Sequence, residues 1–287
     1  MPLLEVRDVR VSFKKAHKTT LFGRERQTVL HGIDLTIDEG ECLGIIGESG
    51  SGKSTLGRVV AGLLAPDSGT VTIDGNRLYA NRGRFWNANA LAGQGHPLAV
   101  VFQDYTTSVN PRWTVRGILS EAFRALRRSG TPLSAREEER RGVELLERVG
   151  LFAAHLARYP HELSGGQLQR VAIARAVALE PKMLLLDEAI SSLDAATQIQ
   201  VMDLLKDLRE ERGLSYLFIT HDLTAITYFC DRVRFMQSGT LVEGVDDMRR
   251  IAEVRHPYAK ALLNAVMGVG IDEPAIAEDF EPELEAA

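Results

Sequence analysis

Cysteine is nearly absent: Cys42 and Cys230 are the only two in 287 residues. That favours a reducing compartment over a disulfide framework and excludes a four-cysteine zinc or iron–sulfur site within the chain. No apolar run approaches the ~18–20 residues that cross a bilayer. The N-terminus, MPLLEVRDVRVSF, carries acids early and no apolar h-region, so it does not read as a secretory signal. Basic charge is not in excess. Thirty-four Lys and Arg against 39 Asp and Glu leave a net charge of −5, a surface not built to attract nucleic acid. There is no internal repeat. What remains is ordinary globular usage, 45% hydrophobic and 25% charged. The expected location is the cytoplasm, and the length allows one large domain or two smaller ones.

The pattern along the chain is strands alternating with helices. Residues 3–13 alternate apolar and polar, as a half-buried strand does, and 29–37 and 70–74 are strand-like. A basic stretch, Lys14 to Arg26, reads as a surface loop. CLGII at 42–46, MLLLD at 183–187 and YLFIT at 216–220 are short continuous apolar runs, the mark of strands buried on both faces. Helical spacing follows at 56–63, 114–128, 136–149, 167–179 (stopped by Pro181) and about 195–212. VRFMQSGTLVEG at 233–244 reads as a hairpin turning at Ser238-Gly239. This rhythm predicts an α/β fold, a mostly parallel sheet with helices on both faces. The helix-only stretch from about 104 to 166 reads as an inserted helical subdomain. The tail from Gly270 has seven acids and no bases, and reads as disordered.

Two glycine-rich segments stand out. GESGSGKS at 47–54 fits G-x-x-x-x-G-K-[ST], with a buried strand before it and an amphipathic helix after it. In such a loop Gly47, Glu48, Ser49, Gly50, Ser51 and Gly52 turn backbone N–H groups toward phosphate oxygens. Lys53 reaches the terminal phosphates, Ser54 offers its hydroxyl to Mg²⁺, and Thr55 assists at the helix N-terminus. The strand MLLLD delivers Asp187 at its carboxyl end, where ligands bind in open α/β sheets. Asp187 suits Mg²⁺ held through water, and Glu188 suits a base acting on an attacking water. The second segment is LSGGQ at 163–167, a glycine-rich turn at the start of a helix.

LSGGQ resembles the signature motif of the ATP-binding subunits of ABC transporters, and further matches fall in that family's order over about residues 3–265. The resemblance implies a role for each matching residue. Gln103 joins the metal site to the helical subdomain, and SSLD at 191–194 follows the catalytic strand. His221 contacts the terminal phosphate, and Phe13 stacks on adenine. A lone glutamine or histidine is ordinarily a surface or core residue, so Gln103 and His221 gain weight only from their place in the series. The family fold is a phosphate-loop NTPase core with an antiparallel β subdomain and the helical insert, spanning 1–265 before an acidic tail at 266–287.

The resemblance also implies what the second glycine turn is for. Ser164, Gly165, Gly166 and Gln167 would meet ATP held by a second ATPase subunit, so that two ATPs are sandwiched between two chains. Partners would include two membrane permease subunits and, through them, an extracytoplasmic substrate-binding protein, with the chain at the cytoplasmic face of the membrane. FQDYTTSVNPRWTV, RYPHELSGGQLQR and RHPYAKALLNAV are similar to importers of the dipeptide, oligopeptide and nickel group. That group often pairs two different ATPase chains. Ala189, where peptide-importer subunits usually have proline, looks more like the nickel or metal-chelate branch. Competing readings are a non-transport ABC ATPase acting on nucleic acid or ribosomes, an exporter subunit, and a module that binds ATP without hydrolysing it. The acidic balance argues against the first and intact Lys53, Asp187, Glu188 and His221 against the last.

Overall fold

The computed structural model describes residues 1–14, 26–80, 85–86, 97–104 and 108–267. The centre of the basic stretch and the acidic tail lie outside the described residues. The chain runs β1 (Leu4–Lys14), β2 (Arg26–Ile37), β3 (Cys42–Ile46), α1 (Lys53–Val60) and β4 (Ser68–Ile73). Three short strands follow, β5 (Asn76–Arg77), β6 (Tyr79–Ala80) and β7 (Phe85–Trp86), and then β8 (Leu98–Phe102). Helices α2 (Val115–Arg128), α3 (Ala135–Arg148) and α4 (Gly165–Val177) come next, before β9 (Met183–Asp187) and α5 (Ala195–Arg212). The last elements are β10 (Ser215–Thr220), α6 (Leu223–Phe229), β11 (Arg232–Gln237), β12 (Thr240–Val245) and α7 (Pro257–Met267).

Six strands form the central sheet in the order β12-β11-β3-β10-β9-β8. All neighbours are parallel except the β11–β12 hairpin. Alternate residues of each central strand feed two cores. Leu184, Leu186, Tyr216 and Phe218 join the larger one, built with α2 to α6. Met183, Leu185, Leu217 and Ile219 join a second, completed by Leu56, Val59 and Val60 of α1 and by the four-stranded sheet β2-β1-β4-β5. Both faces are thus covered, which is why these strands read as unbroken apolar runs rather than alternating ones.

Local signals set the boundaries. Thr114, Ser134 and Asp222 cap α2, α3 and α6 through their side chains. Helix α4 begins at Gly165, two residues before the expected start, because Ser164 caps it. It ends at Val177, and Glu180, just before Pro181, takes a left-handed φ of 52°. The β11–β12 turn is Ser238-Gly239, with φ of 46° and 79°, the paired positive values of a two-residue hairpin loop. Strand β8 and helices α6 and α7 are absent from the sequence expectation.

Candidate functional site

Strand register gathers the site. Ile46 pairs with Thr220, Ile219 with Asp187, and Asp187 with Phe102. Four parallel strands therefore finish in line, and Gly47, His221, Glu188 and Gln103 each follow a strand end at one sheet edge.

At that edge the loop from Gly47 to Gly52 turns into α1. Gly50 and Gly52 have φ of 82° and 108°, conformations that side-chain-bearing residues rarely adopt. Gly47 is required by contact instead, since a Cβ there would sit 2.1 Å from the Met236 carbonyl oxygen. The Lys53 ammonium lies inside the loop, donating to the Gly47 oxygen at 2.6 Å and the Glu48 oxygen at 2.8 Å. Burial pushes its pKa down, and Glu188, Asp187 and Glu48 oppose that by favouring the charge.

Ser54 Oγ donates to Asp187 Oδ1 at 3.1 Å, tying the first turn of α1 to the end of β9. Asp187 is 7% exposed. Burial raises its pKa above the ordinary carboxylate range, and the Ser54 bond offsets part of that rise. Glu188, one residue on, has a left-handed φ of 49°, uncommon outside glycine. Its N–H donates to Ile219 O at 2.8 Å and its carbonyl accepts the Ser191 hydroxyl at 2.9 Å. These bonds hold the strained residue, and its carboxylate lies 3.5 Å from His221 Nδ1. Strain held in this way at a strand end is a signature of functional sites.

The signature turn lies in a different place. Ser164 Oγ accepts the Gln167 N–H at 3.3 Å, and Gln167 Oε1 accepts the Ser164 N–H at 3.0 Å. This reciprocal cap uses one acceptor of each side chain. The Ser164 O–H and the Gln167 amide NH₂ are left as donors. Ser164, Gly165, Gly166 and Gln167 line an open cavity of about 560 Å³ together with His155, Arg170, Ser192 and Asp194. A Cβ on Gly166 would approach Thr197 Cγ2 to 2.7 Å. None of the residues from 47 to 55 lines that cavity, nor do Asp187, Glu188 or His221.

Of the sequence-derived candidates, Lys53 bonds Gly47 and Glu48, Ser54 bonds Asp187, and Glu188 lies beside His221, and chain adjacency at 53–54 and 187–188 ties these contacts into one cluster. Thr55 is on α1, and Ser49 is in the loop. Gln103 stands exposed after β8. Phe13, 43% exposed, is near the end of β1, opposite Gln27. Two supports were not foreseen. Gly239 N–H donates to Ser51 O at 2.8 Å while Gly239 O accepts the His31 N–H at 2.9 Å, so the β11–β12 turn braces the loop. The Tyr258 hydroxyl accepts the Glu48 N–H at 2.8 Å. The Ser238-Gly239 pair was visible in the sequence as a turn, but nothing there said what it touches.

The ABC transporter family matches residues 30–191. The chain is 43% identical over 243 residues to the metal-staphylopine import system ATP-binding protein CntF of Staphylococcus aureus strain NCTC 8325, covering 85% of this chain and 91% of the relative. It is 39% identical over 284 residues to the oligopeptide transport ATP-binding protein OppF of Haemophilus influenzae, covering 98% and 82%. Its fold is similar to a dimeric post-hydrolysis structure of the ATP-binding cassette MJ0796 bound to ADP and Pi. The TM-score is 0.72 at 29% identity, covering 86% of this chain and 99% of that one.

Proposed function

This chain belongs to the ABC transporter family, and we propose that it is the ATP-hydrolysing subunit of a binding-protein-dependent importer for nickel, a metal chelate, or di- and oligopeptides. The observation that carries the reading is the convergence at one sheet edge. A buried lysine inside a glycine loop, a Ser–Asp pair and a strained Glu beside a His all meet there. Relatives named for metal-staphylopine and oligopeptide import support the two cargo classes.

In the proposed mechanism Lys53 keeps the Gly47 carbonyl as its anchor and turns its remaining N–H donors to phosphate oxygens. The loop N–H groups and the start of α1 supply the rest of the anion cradle. Ser54 and Asp187 fit Mg²⁺: both offer oxygen, and a buried carboxylate with a raised pKa is relieved by a cation. Among the described residues no group of three or more His, Cys, Asp or Glu could hold a metal. That is compatible with Mg²⁺, which takes one or two carboxylates and completes its shell with phosphates and water. When bound, the ion would neutralise charge on the β- and γ-phosphates. Glu188 accepts the proton of a water whose oxygen bonds to the γ-phosphorus as the bond to the β-phosphate oxygen breaks, giving ADP and phosphate. His221 stands beside that carboxylate as a contact for the γ-phosphate. Phe13 is assigned to the adenine face.

The signature cavity is separate from this cluster, so we assign Ser164, Gly165, Gly166 and Gln167 to ATP bound by a second ATPase subunit. Its donors, together with the helix dipole of α4, suit an anion. The dimeric MJ0796 structure supports this arrangement. The reading makes residues 1–265 one ATPase domain, with 104–166 as the helical part that carries motion to two permease subunits and Gln103 as its lever. It also includes a non-identical ATPase partner, an extracytoplasmic binding protein, and a location at the cytoplasmic face of the membrane. No helix of the described residues is long and apolar enough to cross a membrane.

The test is Glu188→Gln in the assembled complex. MgATP binding should persist while steady-state hydrolysis falls by roughly 10²-fold or more, the scale of a lost general base. Unchanged turnover would reject the role of Glu188, and failure of the wild-type complex to hydrolyse ATP would reject the function.

A further inference from the structure

Helix α7 is far from the phosphate loop in sequence, yet it touches the loop. Its start is anchored by Glu243 of β12, whose carboxylate accepts the N–H groups of Arg255 (2.8 Å) and His256 (2.6 Å). Its body is held by burial of Ala259 and Leu263 and by packing against α6. Between these anchors Tyr258, 9% exposed, turns its hydroxyl toward residue 48.

The bond falls on one particular peptide group. The Glu48 N–H that donates to Tyr258 and the Gly47 C=O that accepts from Lys53 belong to the same planar unit. Among the described residues every peptide is trans. In a trans plane the N–H and C=O point in opposite directions and rotate together. The phenol oxygen holds one end of the plane at 2.8 Å and the lysine ammonium holds the other at 2.6 Å. Fixing the first therefore fixes the direction of the second. Burial also raises the phenol pKa, so the hydroxyl stays neutral, and its oxygen is the acceptor in this bond.

We propose that Tyr258 is a positioning residue of the nucleotide site, holding the 47–48 peptide so that Lys53 is pre-set inside the loop, and thereby making α7 a support for ATP affinity. This rests on the reading that Lys53 meets ATP phosphates. It adds a dependence that the loop motif alone does not contain. A loop whose first peptide turns freely would lose the arrangement that Lys53 needs, and part of the binding free energy would go into restoring it.

Tyr258→Phe retains the ring and removes only the acceptor. In the full chain the Phe variant should bind MgATP about tenfold more weakly, the factor corresponding to one lost hydrogen bond. In the assembled complex KM for ATP should rise by a similar factor, with kcat within about twofold. A packing role alone would leave both affinity and KM unchanged, because the ring remains, and that result overturns the proposal. A wild-type chain that binds no MgATP would instead defeat the functional reading itself. A second measurement needs no variant. In the nucleotide-free wild-type chain the Glu48 amide should exchange hydrogen slowly, and exchange at the rate of a free peptide would overturn the proposal even if the Phe variant did not fold.

Discussion

Gly166 invites a test that separates two reasons for a glycine at the signature turn. One is that partner-bound phosphate needs close approach to the backbone. The other is internal: a Cβ at 166 would lie 2.7 Å from Thr197 Cγ2. That methyl has little freedom, because Thr197 Oγ1 donates to Asp194 Oδ2 at 2.7 Å and Thr197 N–H donates to Asp194 Oδ1 at 3.0 Å. Gly166 is not at a positive φ, so Ala there carries no backbone strain and should gain about 0.8–1 kcal/mol of helix propensity. The overlap costs about 1–3 kcal/mol, the usual range for overpacking. Gly166→Ala should therefore destabilise by about 1 kcal/mol net. Thr197→Ser deletes the methyl and retains the hydroxyl cap, so in that background the same Ala should be neutral or stabilising. Urea unfolding of the four chains of this cycle reads the coupling directly. An equal loss from Gly166→Ala in both backgrounds refutes the internal reason. If the double variant is stable, ATP turnover of the complex then tests the first reason without the second.

The remaining predictions concern the two halves of the proposed site. Ser164→Arg should leave nucleotide binding by the isolated chain intact and block ATP-dependent closure of the dimer, and normal closure by crosslinking or scattering would count against the assignment to the partner's ATP. Asp187→Asn should raise the melting temperature of the nucleotide-free chain at neutral pH while abolishing turnover. The sign follows from burial. A carboxyl with a raised folded pKa binds more protons folded than unfolded, so stability falls as pH rises through that window, and above it the ionised Asp187 is a cost that Asn removes. The stabilising difference should shrink as the pH is lowered through that window, and a lower melting temperature for the Asn variant at pH 7 would refute the argument.

What was legible in the sequence, and what was not, divides along the range of the interaction. Strands 42–46 and 183–187 were readable to the residue because unbroken apolar runs bounded by turn residues leave few alternatives. LAVVF of β8 is a run of the same length with Pro97 before it as a boundary, so this strand was equally legible and is nonetheless absent from the sequence expectation. Helix α6 is seven residues long, too short for a periodic signal, although Asp222 capping both Thr224 and Ala225 marks its start. The loop residues were legible as a motif. The partners that hold the loop were not: Gly239 and Tyr258 reach it from 188 and 210 positions away, taking Ser51 and Glu48 as their contacts. No local pattern encodes such a pairing.

This division bears on how the two glycine segments differ. The loop at 47–52 is held from outside, by the β11–β12 turn and by Tyr258, and its own Lys53 fills the centre. The turn at 164–167 is held from within, by its reciprocal cap and by the fit of Gly166 against Thr197. A loop that already contains its cation is suited to retain a nucleotide in one chain. A capped turn that lines an open cavity, with neither Lys53 nor Asp187 among the lining residues, is suited to receive a phosphate brought by another. The asymmetry in how the segments are supported thus argues for the same division of labour as the separation of the two sites does. It also argues that changes in α7 should act on nucleotide affinity in the isolated chain, whereas changes around Thr197, whatever they do to folding stability, should act on nucleotide handling only once the partner is present.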